Sequence, residues 1–142
     1  MSGLNVNKIV APIDFSDRSD AALHRAVEIA GSEGLVEAVH VLLPLSTMEP
    51  GNLFGGITDQ SRIEAILKSM RDRFSDEKFA RVTHHVLLGD PGSEITAFAE
   101  RQAADLVVLS SHGYGFLKHL MLGSVAERVV RLAKCPVLVL KS

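Results

Sequence analysis

The chain has 142 residues, of which 46% are hydrophobic and 23% charged, with a formal net charge of -2 and a single cysteine. That length supports one domain with its own core, and the charge supplies no positive field for DNA, RNA or an anionic membrane. One cysteine excludes an internal disulfide and a cysteine-built metal cluster. No apolar run approaches the ~18 residues of a membrane span, and the leading MSGLNVNK lacks the charged-then-apolar layout of a secretory signal. The expectation is a cytoplasmic protein with no nucleic-acid partner and no membrane insertion.

Taken in order, Lys8–Ile13 (KIVAPI) predicts a buried strand, with Pro12 at its end because proline has no amide hydrogen for a ladder, and Asp14 at its carboxyl tip. Ser16, Asp17 and Asp20 offer amino-cap chemistry for a helix to about Ser32, with Leu23, Val27 and Ala30 as its core face. Leu35–Leu43 predicts a second strand whose centre holds one polar residue, His40. The Pro- and Gly-rich stretch 44–60 is long for a connection and is placed where a lid would sit. Ile63, Ile66, Leu67, Met70 and Phe74 then recur at helical spacing, which predicts an amphipathic helix over Ser61–Phe79.

Arg81–Leu88 predicts a third strand. Its His84 and His85 point to opposite faces and cannot share one metal from there, so no metal site is assigned. Gly89-Asp90-Pro91 turns the chain into a helix capped by Asp90, with Ile95, Phe98 and Ala99 inward. Leu106–Leu109 is a short uncharged run suited to a strand buried on both faces. Pro136–Leu140 is the fifth strand, and Cys135 before it reads as a small apolar residue rather than a reactive thiol. Strict alternation of strands and helices predicts an α/β, doubly wound, five-stranded parallel sheet with helices on both faces, in a single domain over residues 1–142.

The informative stretch lies between the last two strands. The loop Ser110-Ser-His-Gly-Tyr-Gly115 follows strand four, Gly123 makes a second break, and Ser124-Val-Ala-Glu127 has the form of a capping box that starts a helix near Val125. A glycine-bearing loop at a strand's carboxyl end, facing a helix amino terminus, suits an anionic ligand such as a phosphate. There is no Gly-x4-Gly-Lys-Ser/Thr loop, and the first strand-to-helix turn, Asp14-Phe-Ser-Asp, lacks the dinucleotide glycines. Lys118 and His119 read as solvated. His112 has no nucleophile or second acid fixed beside it by local sequence, so no catalytic residue is assigned.

Ser110-x2-Gly113, nine residues, and then Gly123-Ser124 resembles the Gly-x2-Gly-x9-Gly-Ser/Thr motif of the universal stress protein family. The segments VAPIDFS (10–16), AVHVL (38–42), GDPGSEI (89–95), ADLVVLSSHG (104–113), LGSVAERVVR and CPVLVLK extend that resemblance along the chain. It implies a Rossmann-like sheet of the adenine nucleotide alpha hydrolase type, a homodimer through the C-terminal strand, a stress-response role toward a regulatory protein partner, and binding of ATP, or of AMP or ADP, with Mg2+ accompanying ATP. The site residues it implies are Pro12, Asp14, Val41, Ser110, His112, Gly113, Gly115, Gly123, Ser124 and Val125. Asp14 matches the acidic position beside the nucleotide, Val41 the strand-two position whose backbone meets adenine, and Gly113, Gly123 and Ser124 the phosphate loop. Ser110 departs from the motif's first glycine. At positive φ it would cost about 1 kcal/mol, and at negative φ it would cost little. The alternatives are a slow ATPase or self-phosphorylating protein, and a dimeric interaction protein without nucleotide.

Overall fold

Each of the first four strands is followed by a helix that carries the chain back across the sheet, so all strand pairs are parallel. The computed structural model describes residues 6–47, 56–112 and 122–141. The strands are β1 (Lys8–Pro12), β2 (Leu35–Leu42), β3 (Val82–Leu88), β4 (Leu106–Ser110) and β5 (Val137–Leu140). The helices are α1 (Asp17–Ala30), α2 (Asp59–Arg73), α3 (Pro91–Arg101) and α4 (Ser124–Leu132). The strand order is β3-β2-β1-β4-β5. The chain therefore winds outward from β1 through β2 to β3, then crosses to β4 and on to β5. The reversal falls between β1 and β4, where the connections leave in opposite directions and open a crevice at the carboxyl ends.

The period-two alternation of the central strands divides the core into two layers. Ile9, Ala11 and Ile13 face α1 and α2, packing with Ala22, Leu23, Ala26, Met70 and Phe74. Val10, Val107 and Leu109 face α3 and α4, packing with Ile95, Phe98, Ala126 and Val129. His84 and His85 do point to opposite faces: the first ring stacks on Phe74 of α2's carboxyl end, and the second lies against Phe98 of α3. His85 Nε2 also meets the buried Glu37 carboxylate at 2.6 Å.

Several boundaries and faces differ from expectation. Helix α1 stops at Ala30 because Gly31 takes a positive φ (67°) that glycine tolerates and turns the chain out of the helix. Its core face is Ser19, Ala22, Leu23 and Ala26, with Val27 and Ala30 only half-buried. The expected helix over Ser61–Phe79 is two elements, α2 and a separate 3-10 turn Glu77–Phe79, with Phe74 as the break. Asp90 caps α3 by accepting from Ser93 N at 3.1 Å, with Pro91 in the first helical turn. Residues 48–55 of the expected lid lie outside the described residues.

His84 carries a pH dependence. Its Nδ1 is buried with no hydrogen-bond partner among the described residues. Burial first, then the Arg71 charge, hold its pKa below the ordinary histidine value. The folded chain thus binds this proton less readily than the unfolded chain does. Stability from this residue is intact above the unfolded value near 6.5 and is lost as pH falls through the depressed folded value. We predict that His84→Leu reduces the slope of urea-unfolding stability against pH between roughly pH 7.5 and pH 5. An unchanged slope would contradict this account.

Candidate functional site

Beta strands one, two and four end together at the crevice, and a cavity of about 390 Å³ occupies it. From β1 and its turn come Pro12, Ile13 and Asp14. From β2 come Val39, His40 and Val41, and from the end of β4 come Leu109 to His112. The amino end of α4 contributes Gly123, Ser124, Val125 and Ala126, and α3 contributes Pro91 and Ile95. Of the residues singled out in the sequence, Pro12, Asp14, Val41, Ser110, His112, Gly123, Ser124 and Val125 all line this cavity. Gly113 and Gly115, with Lys118 and His119, lie outside the described residues.

The amino end of α4 is built differently from the expected capping box. Gly123 is the cap and Ser124 is already the first helical residue, with no side-chain capping bond. The register is shifted by one, so Glu127 falls one residue too late to reach back. Its carboxylate pairs instead with Arg131, at 3.1 Å. The Gly123 amide that a capping box would satisfy already donates to the Ser111 carbonyl at 2.7 Å. The first intrahelical bond is Glu127 N to Gly123 O. Among the described residues the amides of Ser124, Val125 and Ala126 therefore have no backbone acceptor behind them, and all three residues line the cavity. Three unpaired amides at the positive end of a helix dipole form an anion cradle.

Glycine at 123 is favoured by proximity, not by φ, which is -66°. A Cβ there would lie 3.2 Å from the Ser111 carbonyl oxygen and 3.5 Å from His112 Cα. Ser110, the departure from the motif, is not among the residues with positive φ, so serine brings no left-handed strain. Its hydroxyl donates to the His112 carbonyl at 2.9 Å and closes the turn after β4. Ser111 Oγ and His112 Nδ1 share a hydrogen bond at 3.1 Å, and both residues are buried. Ser111, which is not among the nucleotide-binding positions the resemblance implies, lines the cavity and carries both this bond and the Gly123 contact.

On the opposite wall, Asp14 Oδ1 accepts from both the amide and the hydroxyl of Ser16, the residue that caps α1. Oδ2 has no partner among the described residues and is available to a ligand hydroxyl. The Asp14 amide donates to Ser19 Oγ at 3.2 Å. Phe15 then adopts φ 67°, a conformation that costs a non-glycine residue about 1–3 kcal/mol. Its ring lies 5.1 Å from that of His40, whose Nδ1 donates to the Ile13 carbonyl at 2.6 Å. His40 was legible as the polar residue of its strand, but its tie to β1 was not. Among the described residues no Lys or Arg lines the cavity.

A smaller cavity of about 190 Å³ lies between Thr96, Glu100, Lys134 and Cys135. Burial pushes the Cys135 thiol pKa up, which suits an apolar role rather than a nucleophilic one.

A parallel sheet of order 3-2-1-4-5, with its cavity at the switch point beneath a helix amino terminus, is a doubly wound α/β architecture. The chain belongs to the universal stress protein family, whose model matches residues 5–141. A universal stress protein of Methanocaldococcus jannaschii is 36% identical over 140 residues, covering 94% of this chain and 81% of that protein. The structure of the universal stress protein UspA from Lactobacillus plantarum shares the fold at a TM-score of 0.76 and 21% identity, over 98% of this chain and 100% of that one. A universal stress protein solved in complex with cAMP is similar at a TM-score of 0.69 and 26% identity, over 96% and 97% of the two chains.

The Gly123 geometry generates a prediction. Gly123→Val places a branched side chain against the Ser111 carbonyl, so the helix must withdraw from the loop. We expect a loss of about 1–3 kcal/mol in urea unfolding and faster hydrogen exchange at residue 123. Unchanged exchange would show that the close approach is not a constraint.

Proposed function

We propose that this protein binds an adenine nucleotide in the switch-point cavity and acts as a regulatory module of the stress response. The observation that carries the reading is the pairing of two features across one cavity: the three unpaired amides of α4 and the open carboxylate oxygen of Asp14. The first suits a phosphate and the second a ribose hydroxyl. Val41 and Val39, between them, offer an apolar wall and a strand-end backbone for the purine. The cAMP bound by a 26% identical relative supports the adenine assignment.

The ligand is ATP, or AMP or ADP at the same cradle. With no Lys or Arg in the described wall, Mg2+ accompanies ATP to offset the charge of its phosphates. Asp14 is the one carboxylate lining the described cavity, and one of its oxygens is committed to Ser16. That arrangement favours holding a ligand over activating a water. The protein works in the cytoplasm as one unit over residues 1–142. It pairs with a second copy along β5, an edge strand whose Leu138 is exposed, and it presents its bound state to a regulatory protein partner.

Calorimetric titration of nucleotide-stripped protein with MgATP, and separately with AMP, tests this. We expect micromolar binding at one site per chain, lost in Gly123→Val. Absence of binding up to millimolar nucleotide would overturn the reading. Full affinity in Gly123→Val would overturn the site.

A further inference from the structure

Helix α2 contributes no residue to the cavity wall, yet it holds both loops that flank it. At its amino end Arg62 donates to the Leu43 carbonyl at 2.8 Å, and Asp59 accepts from the Leu45 amide at 3.0 Å. These bonds fix the chain just beyond β2. At its carboxyl end Arg73 reaches the β1–α1 turn. Its Nε lies 3.0 Å from both Asp20 carboxylate oxygens, and its Nη2 donates to Asp20 at 2.7 Å and to the Phe15 carbonyl at 3.0 Å. The guanidinium also sits over the Phe15 ring, 5.7 Å from its centre.

Phe15 is the residue that needs holding. It follows Asp14 directly and keeps a left-handed backbone that a phenylalanine leaves when nothing restrains it. Were φ at Phe15 to relax, the Ser16 amide and hydroxyl that orient Asp14 would turn away with the peptide. Beyond its packing on the core, Phe15 is held by His40 against its ring from β2 and by Arg73 on its carbonyl and ring from α2. A planar fork that grips Asp20 and the Phe15 carbonyl at once is a geometry that arginine supplies and lysine does not.

We infer that Arg73 is a positioning residue for the nucleotide site, holding the strained Phe15 turn so that Asp14 stays aimed into the cavity. This rests on the nucleotide reading above. It makes α2 a brace through which anything that moves that helix alters affinity without touching the ligand.

The test compares wild type, Arg73→Ala, Arg73→Lys and Asp20→Asn, with Lys68→Ala on the exposed side of α2 as control. Two readouts are taken: amide spectra of the unliganded proteins, and affinity for AMP and MgATP. The expected result for Arg73→Ala is a shift of amide signals at residues 14–19 and 40, and about tenfold weaker binding, the scale of one lost charge-assisted contact. Arg73→Lys and Asp20→Asn fall between, and Lys68→Ala matches wild type. A purely structural role is separated by placing Arg73→Ala in an Asp14→Asn background. If Arg73 acts through Asp14, the second change adds little to the first. Unshifted turn signals, unchanged affinity, or full additivity with Asp14→Asn would overturn the inference and leave nucleotide binding standing. If wild type binds neither nucleotide, the functional reading itself fails and the positioning role falls with it. Should Arg73→Ala fail to fold by urea titration, the lysine and Asp20→Asn variants carry the same comparison.

Discussion

The structure depends on how closely the amino end of α4 approaches the loop after β4. The bond from the Gly123 amide to the Ser111 carbonyl, 2.7 Å long, is what docks the helix onto the sheet's carboxyl edge. The approach is tight: a Cβ at residue 123 would lie 3.2 Å from the Ser111 carbonyl oxygen, so any side chain there presses the two backbones apart by a few tenths of an ångström. From that contact follow the unpaired amides, the direction of the helix dipole and the wall of the main cavity. A second close approach supports it from behind. A Cβ on Gly92 of α3 would lie 2.6 Å from Arg128 Cδ of α4, so the two helices pack at a distance only glycine allows. Arg128 in turn reaches Ser93 Oγ and, at 3.2 Å, the Asp90 carboxylate at the start of α3. Asp90, whose pKa is lowered first by its Ser93 hydrogen bonds and then by Arg128, thus caps α3 and pairs with the middle of α4.

The other wall obeys a different constraint. Here the backbone is strained rather than close-packed. The turn after β1 must leave the sheet sharply to carry Asp14 to the cavity and still deliver Ser16 to cap α1. Phe15 absorbs that change of direction at φ 67°. Its cost is offset by contacts that come from β2 and α2, so the turn's shape is a property of the assembled domain and not of its own residues. The two walls are complementary in charge: amide donors on one side, a carboxylate oxygen on the other. That asymmetry suits a ligand with a phosphate at one end and hydroxyls further in.

How much of this was legible in the sequence divides along the same line. The strands were readable because β1, β2 and β4 bury both faces and carry almost uninterrupted apolar runs. The caps at Ser16 and Asp90 were readable because a cap acts over three residues. Ser110, His112 and Gly123 could be placed at the cavity from the strand–loop–helix order and the family resemblance. The capping box at Ser124 was misjudged by one residue, because the sequence does not reveal that the Gly123 amide already has a distant acceptor. The single helix drawn through Ser61–Phe79 broke at Phe74, whose ring turns into the core with Met70. Phe15's conformation and the Arg73 clamp were invisible for a physical reason: Arg73 and Asp20 are 53 residues apart. Nothing local to either announces a contact that only the packing of α2 against the sheet creates.

The most direct measurement of the central claim is a crystal structure grown with AMP. The account predicts the phosphate at the amides of Ser124 to Ala126, a ribose hydroxyl at Asp14 Oδ2, and the purine against the end of β2 at Val41. Density for the nucleotide in the cavity beside Cys135, at the β5 edge, or at the switch point with its phosphate turned away from α4 would contradict it.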